Sequence, residues 1–112
     1  MASLRPWIRI VAEPLYHYVI VRADAPAGVQ AAQIIHAAGE SGPAEPSTFA
    51  VALHATPTQL AVLEAVLLAH GVDHVAIRES DPPWDGALMA IGIRPVRKSV
   101  VRHLVRHLPL VR

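Results

Sequence analysis

The sequence predicts an α/β fold, a three-layer α/β/α sandwich built around a mixed four-stranded sheet. Short β-branched runs alternate with amphipathic segments in the order β-α-β-α-β-β-α, which is typical of a mainly parallel sheet with helices on both faces. The last two predicted strands are joined by a short loop, so we expect one antiparallel pair. The 112 residues, 53% of them apolar and 17% charged, suffice for one folded domain with one core.

The first strand and helix form the opening unit of the chain. The strand predicted at about 16–22 contains an aromatic and β-branched run without a polar interruption, as expected for a strand covered on both faces. Pro26 and Gly28 break that pattern. A helix with small alanines on its packing side is then predicted at about 27–40, and a loop rich in Gly, Pro and Ser follows at 41–47.

Later elements follow the same alternation. They are a strand at 49–54, a helix that begins after Thr56, a strand at 73–78, a strand at 87–93 and a helix at 97–108. Thr56 can cap the second helix, Pro57 fits its first position and Gly71 follows its last turn. The last helix is basic on one side and apolar on the other. We favour a solvated face for its basic residues, with contact to phosphates as the alternative.

Residues 1–14 form an extension ahead of a domain at 15–112. Pro6 and Pro14 bracket this extension and argue against a helix, whereas Trp7 and Ile8 are apolar. We therefore expect either an additional edge strand or a segment that packs on a partner, such as the second subunit of a homodimer.

Composition narrows the classes of function. The absence of cysteine excludes disulfides, thiolate metal sites and a cysteine nucleophile. A net charge of +1 is a weak footprint for nucleic acid unless the charges are patterned locally. No apolar run approaches the roughly 20 residues that span a bilayer, and the start lacks the long apolar core of a signal peptide. We expect a cytoplasmic protein without a membrane partner.

The histidines do not predict a metal site. His103 and His107 are one helical turn apart, a spacing that can hold a metal ion, but no third ligand is suggested nearby. The sequence thus predicts neither a metal nor a cofactor.

Polar residues gather where the predicted parallel strands end. In open α/β sheets, ligands bind beyond the carboxyl ends of the strands. This edge collects Arg22, Asp24, the turn at Gly28 and the acidic, turn-rich segment at 79–86. It is therefore the predicted functional site.

The candidate residues fall into two groups. An ester hydrolase needs a group that activates water and a group that stabilises the oxyanion. The candidate catalytic residues are His36, Glu79 and Asp81, with either carboxylate as the base and His36 as base or donor. The candidate substrate-binding residues are Arg22, Asp24, Gly28, Gln33 and Trp84.

Each candidate also has a structural alternative. His36 and Gln33 are equally compatible with internal hydrogen bonds, and Arg22 with an ion pair to Asp24 that shapes the loop. The acidic loop residues are compatible with solvated carboxylates. Trp84 can stack on a base or cover the edge of the sheet.

The opening unit carries an Arg-x-Asp segment, a glycine and then Ala-Ala-Gln-x-x-His-Ala. The residues of this pattern are Arg22, Asp24, Gly28, Ala31, Ala32, Gln33, His36 and Ala37. The pattern resembles the peptidyl-tRNA hydrolases of the archaeal and eukaryotic type, and segments 28–33 and 78–81 resemble short bacterial relatives of that family. The resemblance implies the same three-layer fold, hydrolysis of the ester between a peptide and the terminal ribose of tRNA, tRNA or peptidyl-tRNA as partner, and a homodimer.

The chain departs from the family at positions that carry the family's chemistry. Val29 stands where the family has a loop lysine, and Met89 where it has a threonine at the start of the fourth strand. Glu79 and Asp81 are approximate counterparts of the family's aspartate. Three functions stay open: a peptidyl-tRNA hydrolase-like protein that hydrolyses or binds the ester end of tRNA, a binding or assembly module that lost the chemistry, and another small hydrolase or transferase acting on a nucleotide-linked substrate.

Overall fold

A computed structural model describes residues 14–42 and 48–112. Within these residues the elements are β1 (Leu15–Arg22), α1 (Ala27–Glu40), β2 (Phe49–Ala55), α2 (Pro57–Ala69), β3 (His74–Glu79), β4 (Ala87–Ile93), β5 (Val96–Arg97) and α3 (Lys98–Val105). The predicted α/β sandwich with a mixed sheet is confirmed.

The sheet has the strand order β2-β1-β4-β3. β1 and β2 are parallel, with Tyr16 opposite Phe49 and Arg22 opposite Ala55. β4 is antiparallel to both β1 and β3. β1, β2 and β3 therefore run in one direction and their carboxyl ends share one edge of the sheet. That edge carries the predicted site.

β5 is a short strand that the sequence did not predict. It pairs antiparallel with the start of β1, with Val96 opposite Tyr16 and Arg97 opposite Leu15. A two-residue strand is too short to show a hydrophobic alternation. α3 therefore begins at Lys98, and it ends at Val105, earlier than the predicted end at 108.

The helices cover the two faces of the sheet. α1 packs on one face, and α2 and α3 pack on the other. Side chains of β1 alternate accordingly: Tyr18 and Ile20 contribute to the core under α2 and α3, whereas Val19 and Val21 contribute to the core under α1. The larger core consists of Tyr18, Ile20, Leu53, Ala55, Leu60, Leu63, Leu67, Ile91, Ile93, Val101, Val105 and Leu108.

Local sequence signals define α2. The Thr56 hydroxyl accepts a hydrogen bond from the Gln59 N–H at 3.1 Å, and the Gln59 side-chain oxygen accepts one from the Thr56 N–H at 2.9 Å. This capping box satisfies amide groups that the first turn of a helix leaves free. At the other end Gly71 adopts a positive φ of 66°, the left-handed conformation that ends many helices.

α1 lies unusually close to β4 because position 92 is a glycine. A Cβ at Gly92 would overlap the Ala37 carbonyl oxygen and lie 2.5 Å from the Ser41 Oγ. The Ser41 hydroxyl donates to the Ala37 carbonyl at 2.6 Å and accepts from Nε2 of buried His17, also at 2.6 Å. Burial lowers the pKa of His17 from its usual 6.5, which favours the neutral ring.

The chain returns to the sheet after α3. Leu110 forms an antiparallel bridge with Leu53, the His54 N–H donates to the Pro109 carbonyl at 2.8 Å, and the Val111 N–H donates to the Ala52 carbonyl at 3.0 Å. This C-terminal segment, residues 109–111, covers the outer edge of β2.

The predicted N-terminal extension, apart from Pro14, and loop residues 43–47 lie outside the described residues. The predictions made for them stay predictions. In the part of the chain that is described, no helix is long and apolar enough to cross a membrane.

Candidate functional site

The carboxyl edge of the sheet contains a cavity of about 330 Å³. It lies between the first turns of α1 and the loop that joins β3 to β4. It is lined by Gly28, Val29, Ala32, Gln33, Glu79, Asp81, Pro82 and Trp84. Five of the eight predicted site residues thus line one space. Gly28, in the first turn of α1, lies across it from the acidic loop that contains Asp81. We call this space the site cavity.

Gln33 and Glu79, which both line the site cavity, are hydrogen-bonded to each other. The Gln33 side chain is 4% exposed, and its Nε2 donates to Glu79 Oε2 at 3.3 Å. The other Glu79 oxygen accepts the Asp81 N–H at 3.1 Å. Both oxygens of Glu79 are therefore engaged, and this carboxylate is held in place by two elements.

The same contact leaves an acceptor without a donor. The Gln33 amide nitrogen is used by the Glu79 carboxylate, whereas the buried Oε1 of the same amide has no hydrogen-bond partner among the described residues. A buried polar atom left in this state costs about 1–3 kcal/mol. Gln33 lines the site cavity, so a ligand that donates a hydrogen bond to this oxygen would remove the cost.

The 80–86 loop is a tight structure held by its own backbone. The Trp84 N–H donates to the Asp81 carbonyl at 2.9 Å, and the Gly86 N–H donates to the Glu79 carbonyl at 2.7 Å. Asp85 and Gly86 adopt positive φ values of 48° and 88°. The loop thereby fixes Asp81 and Trp84 in the lining of the site cavity.

Arg22 and Asp24 lie beside the site cavity and do not line it. Arg22 Nε and Nη2 donate to the two carboxylate oxygens of Asp24, both at 2.7 Å. This bidentate bond holds the pKa of Asp24 below its usual 3.8. The Arg22 guanidinium carbon is also 5.2 Å from the ring centre of Trp84. Of the two alternatives drawn from the sequence, the geometry favours a loop-shaping ion pair, which offsets the charge of Arg22.

The amino end of α1 offers free backbone donors. The helix has no side-chain cap and no acidic residue in its first turn, and its first backbone bond joins the Gln30 N–H to the Pro26 carbonyl at 2.9 Å. The N–H groups of Gly28 and Val29 find no acceptor in the described residues, and both residues line the site cavity. Gly28 is the second residue of this helix, which begins at Ala27 as predicted.

His36 is not brought to the site cavity. It is exposed on α1, does not line the cavity, and makes no hydrogen bond within the described part of the chain. Three residues after Gln33 it lies about 4.5 Å further along the helix axis, away from the amino end. The spacing that places Gln33 and His36 on one side of a helix does not give them the same depth: Gln33 is buried and His36 is exposed.

The two departures from the family pattern have different surroundings. Val29 lines the site cavity, so an apolar side chain stands where the family has a lysine, and within residues 14–42 and 48–112 no lysine or arginine lines the cavity. Met89 is fully buried and does not line it. The β3–β4 register shifts between Ile77 and Arg78, opposite Met89, which makes a bulge just before the 80–86 loop.

Sequence reasoning missed a polar pair next to the site. Gln30 Nε2 donates to the Ala25 carbonyl at 2.7 Å, and its Oε1 accepts from Nε2 of His54 at 2.6 Å. This pair ties the β1–α1 turn to the end of β2. Gln30 and His54 are 24 positions apart, so no local pattern could link them.

A second cavity, of about 290 Å³, lies between α2 and α3. Its lining is mostly apolar and includes Val62, Leu63, His103 and His107, and it contains none of the predicted site residues. Within residues 14–42 and 48–112 no group of three or more His, Asp or Glu residues is arranged to hold a metal ion.

Comparisons with known proteins add no family assignment. No protein-family model matches the sequence, and no curated protein is significantly similar to it. The likeness to peptidyl-tRNA hydrolases therefore rests on the residues of the opening unit and of segment 78–81.

Proposed function

We propose that this protein is a peptidyl-tRNA hydrolase-like domain that binds the ester end of charged tRNA in the site cavity and hydrolyses the ester. One observation carries the proposal. Carboxylates of Glu79 and Asp81 line the same cavity as the free N–H groups of Gly28 and Val29. Ester hydrolysis needs both kinds of group, a base for water and donors for the oxyanion.

The residues divide the chemistry between them. The ester carbonyl oxygen accepts hydrogen bonds from the α1 N–H groups, which strengthen as negative charge develops on it. Asp81, whose carboxylate is exposed, takes a proton from a water that attacks the carbonyl carbon. The tetrahedral intermediate then collapses, the bond to the ribose oxygen breaks, and that oxygen receives the proton. Glu79 acts as a positioning residue because Gln33 and the Asp81 N–H occupy both of its oxygens.

Ester cleavage with charged tRNA tests this proposal. We expect the full chain to accelerate release of the amino acid from aminoacyl-tRNA or N-acetylaminoacyl-tRNA over the rate of each substrate alone. Asp81→Asn should slow this release about 100-fold, the size of a lost general base. Asp85→Asn is the matched control, because it removes one charge from the same loop at a residue outside the cavity lining and asparagine tolerates a positive φ. The proposal would be rejected by a protein that neither binds nor cleaves either of the two substrates.

A second candidate function is a binding module that has kept the fold without the hydrolysis. It is favoured by the lack of a lysine or arginine among the described residues that line the site cavity and by the position of His36 outside it. The same assay separates the two candidates. The module binds charged tRNA and leaves the ester intact, whereas the hydrolase releases the amino acid.

A homodimer and a cytoplasmic location, where tRNA is charged and used, belong to the same proposal. Sedimentation of the full chain against a chain that begins at Pro14 measures the first of these. We expect the full chain to sediment as a dimer and the shortened chain as a monomer. A monomeric full chain would remove the dimer from the proposal.

A further inference from the structure

We propose that the site cavity recognises a free α-ammonium group, so that the preferred ligand is an unblocked aminoacyl group rather than an N-blocked peptidyl group. This inference rests on the proposed function, because it names the substrate class of the same cavity. The family resemblance points to N-blocked substrates, whereas the hydrogen-bonding capacity and the charge of this cavity point to a free amine.

The first observation is the orphaned oxygen of Gln33. The side chain is 96% buried in a cavity-lining position, and its Oε1 has no donor among the described residues. An ammonium carries three N–H donors and no acceptor, so it can supply the missing bond. An N-acyl group has a single N–H and adds a carbonyl oxygen, which repels the carboxylate and amide oxygens of the same cavity.

The second observation is the charge of the lining. Glu79 and Asp81 line the site cavity, and no lysine or arginine among the described residues does. Arg22, whose guanidinium lies against the cavity-lining Trp84, is paired with Asp24 at 2.7 Å. Acylation would remove the positive charge that these carboxylates attract, and a phosphate placed here would meet two like charges.

The third observation is the aromatic wall. Trp84 lines the site cavity and already has the Arg22 guanidinium 5.2 Å from its ring centre. A tryptophan face attracts cations through the negative potential of its π system. Carboxylates, an amide oxygen and an indole are all groups that favour an ammonium.

The donors at the amino end of α1 complete the match. An aminoacyl ester has its ammonium and its carbonyl separated by one carbon, so a single small cavity must offer acceptors and donors side by side. The acceptors are Gln33, Glu79 and Asp81, and the donors are the N–H groups of Gly28 and Val29. A cavity of about 330 Å³ is large enough for an aminoacyl group.

Binding of small amides tests the inference without tRNA. Phenylalaninamide, N-acetylphenylalaninamide and butylamine are titrated into the ¹⁵N-labelled full chain at a pH of about 6.5, below the usual pKa of an α-amino group. We expect phenylalaninamide to bind at least tenfold more tightly than the other two and to shift the amide signals of Gly28 and Val29. Equal affinity for the N-acetylated amide would overturn the inference. Equal affinity for butylamine would overturn the aminoacyl assignment.

Two variants locate the selectivity. Asp81→Asn and Gln33→Met should each reduce the preference for the free amine at least threefold, because each removes one acceptor with little change in size. Asp85→Asn should keep the preference. If Gln33→Met does not fold, Asp81→Asn still tests the inference, because Asp81 is exposed. An Asp81→Asn variant that keeps the wild-type preference for the free amine would reject the role given to the Asp81 carboxylate.

The same measurements separate this inference from the proposed function. Amide selectivity in a protein that neither binds nor cleaves charged tRNA would reject the proposed function and retain the ammonium site. Equal handling of aminoacyl-tRNA and N-acetylaminoacyl-tRNA, with no amide selectivity, would reject the ammonium site and retain the proposed function.

Discussion

A single glycine sets the distance between α1 and the sheet. Gly92 is fully buried on β4, and the space that a side chain would need is taken by the Ala37 carbonyl oxygen and the Ser41 side chain. The same contact holds the hydrogen bond between Ser41 and His17. The position of α1, and with it the position of Gln33, thus depends on the absence of one Cβ.

Gly92→Ala should destabilise the fold by about 1–3 kcal/mol, the usual range for overpacking, because a backbone carbonyl cannot move aside cheaply. Urea unfolding measures this change. Gly39→Ala is the matched control: no atom of the described residues lies within 4 Å of an added Cβ there, so the helix should gain up to about 1 kcal/mol. Equal effects of the two substitutions would contradict the packing described for Gly92.

His17 should make stability depend on pH. Its pKa is below 6.5 in the folded state because it is buried, so the unfolded chain binds more protons below pH 6.5. The free energy of unfolding should therefore fall as the pH is lowered through 6.5, by at most about 1.4 kcal/mol per pH unit. Urea unfolding between pH 5 and 7.5 measures the slope. His17→Gln should flatten it, whereas the exposed control His36→Gln should leave it in place; a slope unchanged in His17→Gln would rule out this assignment.

Residue roles were only partly predictable from the sequence. The topology argument brought Gly28, Glu79 and Asp81 to one edge because strand direction alone decides which ends meet. It could not place His36 outside the cavity, because hydrophobic spacing gives the side of a helix and not the depth of each side chain. The Gln30–His54 bond joins residues that only the folded sheet brings together.

At the scale of elements, the C-terminal segment closes the outer edge of the sheet. An uncovered edge strand presents free N–H and C=O groups to other chains. Residues 109–111 pair with β2 through the bonds of His54 and Ala52, and partly buried Val111 packs on the core under α1. This segment therefore acts as a short edge strand, in which Leu110 forms a β-bridge with Leu53.

Removal of residues 109–112 should expose β2 and weaken the core. We expect a loss of about 1–3 kcal/mol, from two backbone hydrogen bonds and the burial of Val111, together with a tendency to self-associate. Urea unfolding and light scattering measure the two effects. Val111→Thr in the full chain removes apolar burial but keeps the backbone bonds, so it should destabilise without self-association. A truncated chain that stays monomeric and fully stable would show that β2 needs no cover.

The elements were more predictable than their details. The uninterrupted apolar run at 87–93 and the cap at Thr56 are local signals, and both elements occur where they were expected. β5 and the early end of α3 were missed because two residues carry no period and because Leu108 continues the apolar spacing beyond the last helical turn. The bulge opposite Met89 depends on the pairing of two strands and has no signal in either strand alone.

At the scale of the whole molecule, charge is separated although the net charge is only +1. The carboxylates of Glu79 and Asp81 are at the carboxyl edge of the sheet, whereas Arg102 and Arg106 are exposed on and after α3, which packs on the face opposite α1. No carboxylate pairs with either arginine within the described residues. Exposed positive charge therefore lies on one surface and the carboxylates of the site cavity on another. The predicted solvated basic face is present, and it leaves the phosphate alternative open.

If charged tRNA is the ligand, the basic face should supply affinity and the site cavity should supply selectivity. Arg102→Gln with Arg106→Gln should weaken tRNA binding about tenfold or more at low salt, because each arginine that neutralises a phosphate releases counterions. The slope of log K against log salt should fall by about 1.4–1.8 for two lost contacts, and the affinity for phenylalaninamide should not change. Filter binding at several salt concentrations measures the slope.

The control for this prediction is Arg94→Gln, which removes a positive charge that lies 3.9 Å from Asp73 and should change the slope little. A double variant with the wild-type slope would show that phosphates are bound elsewhere, and one that loses phenylalaninamide would show that the two surfaces are not independent.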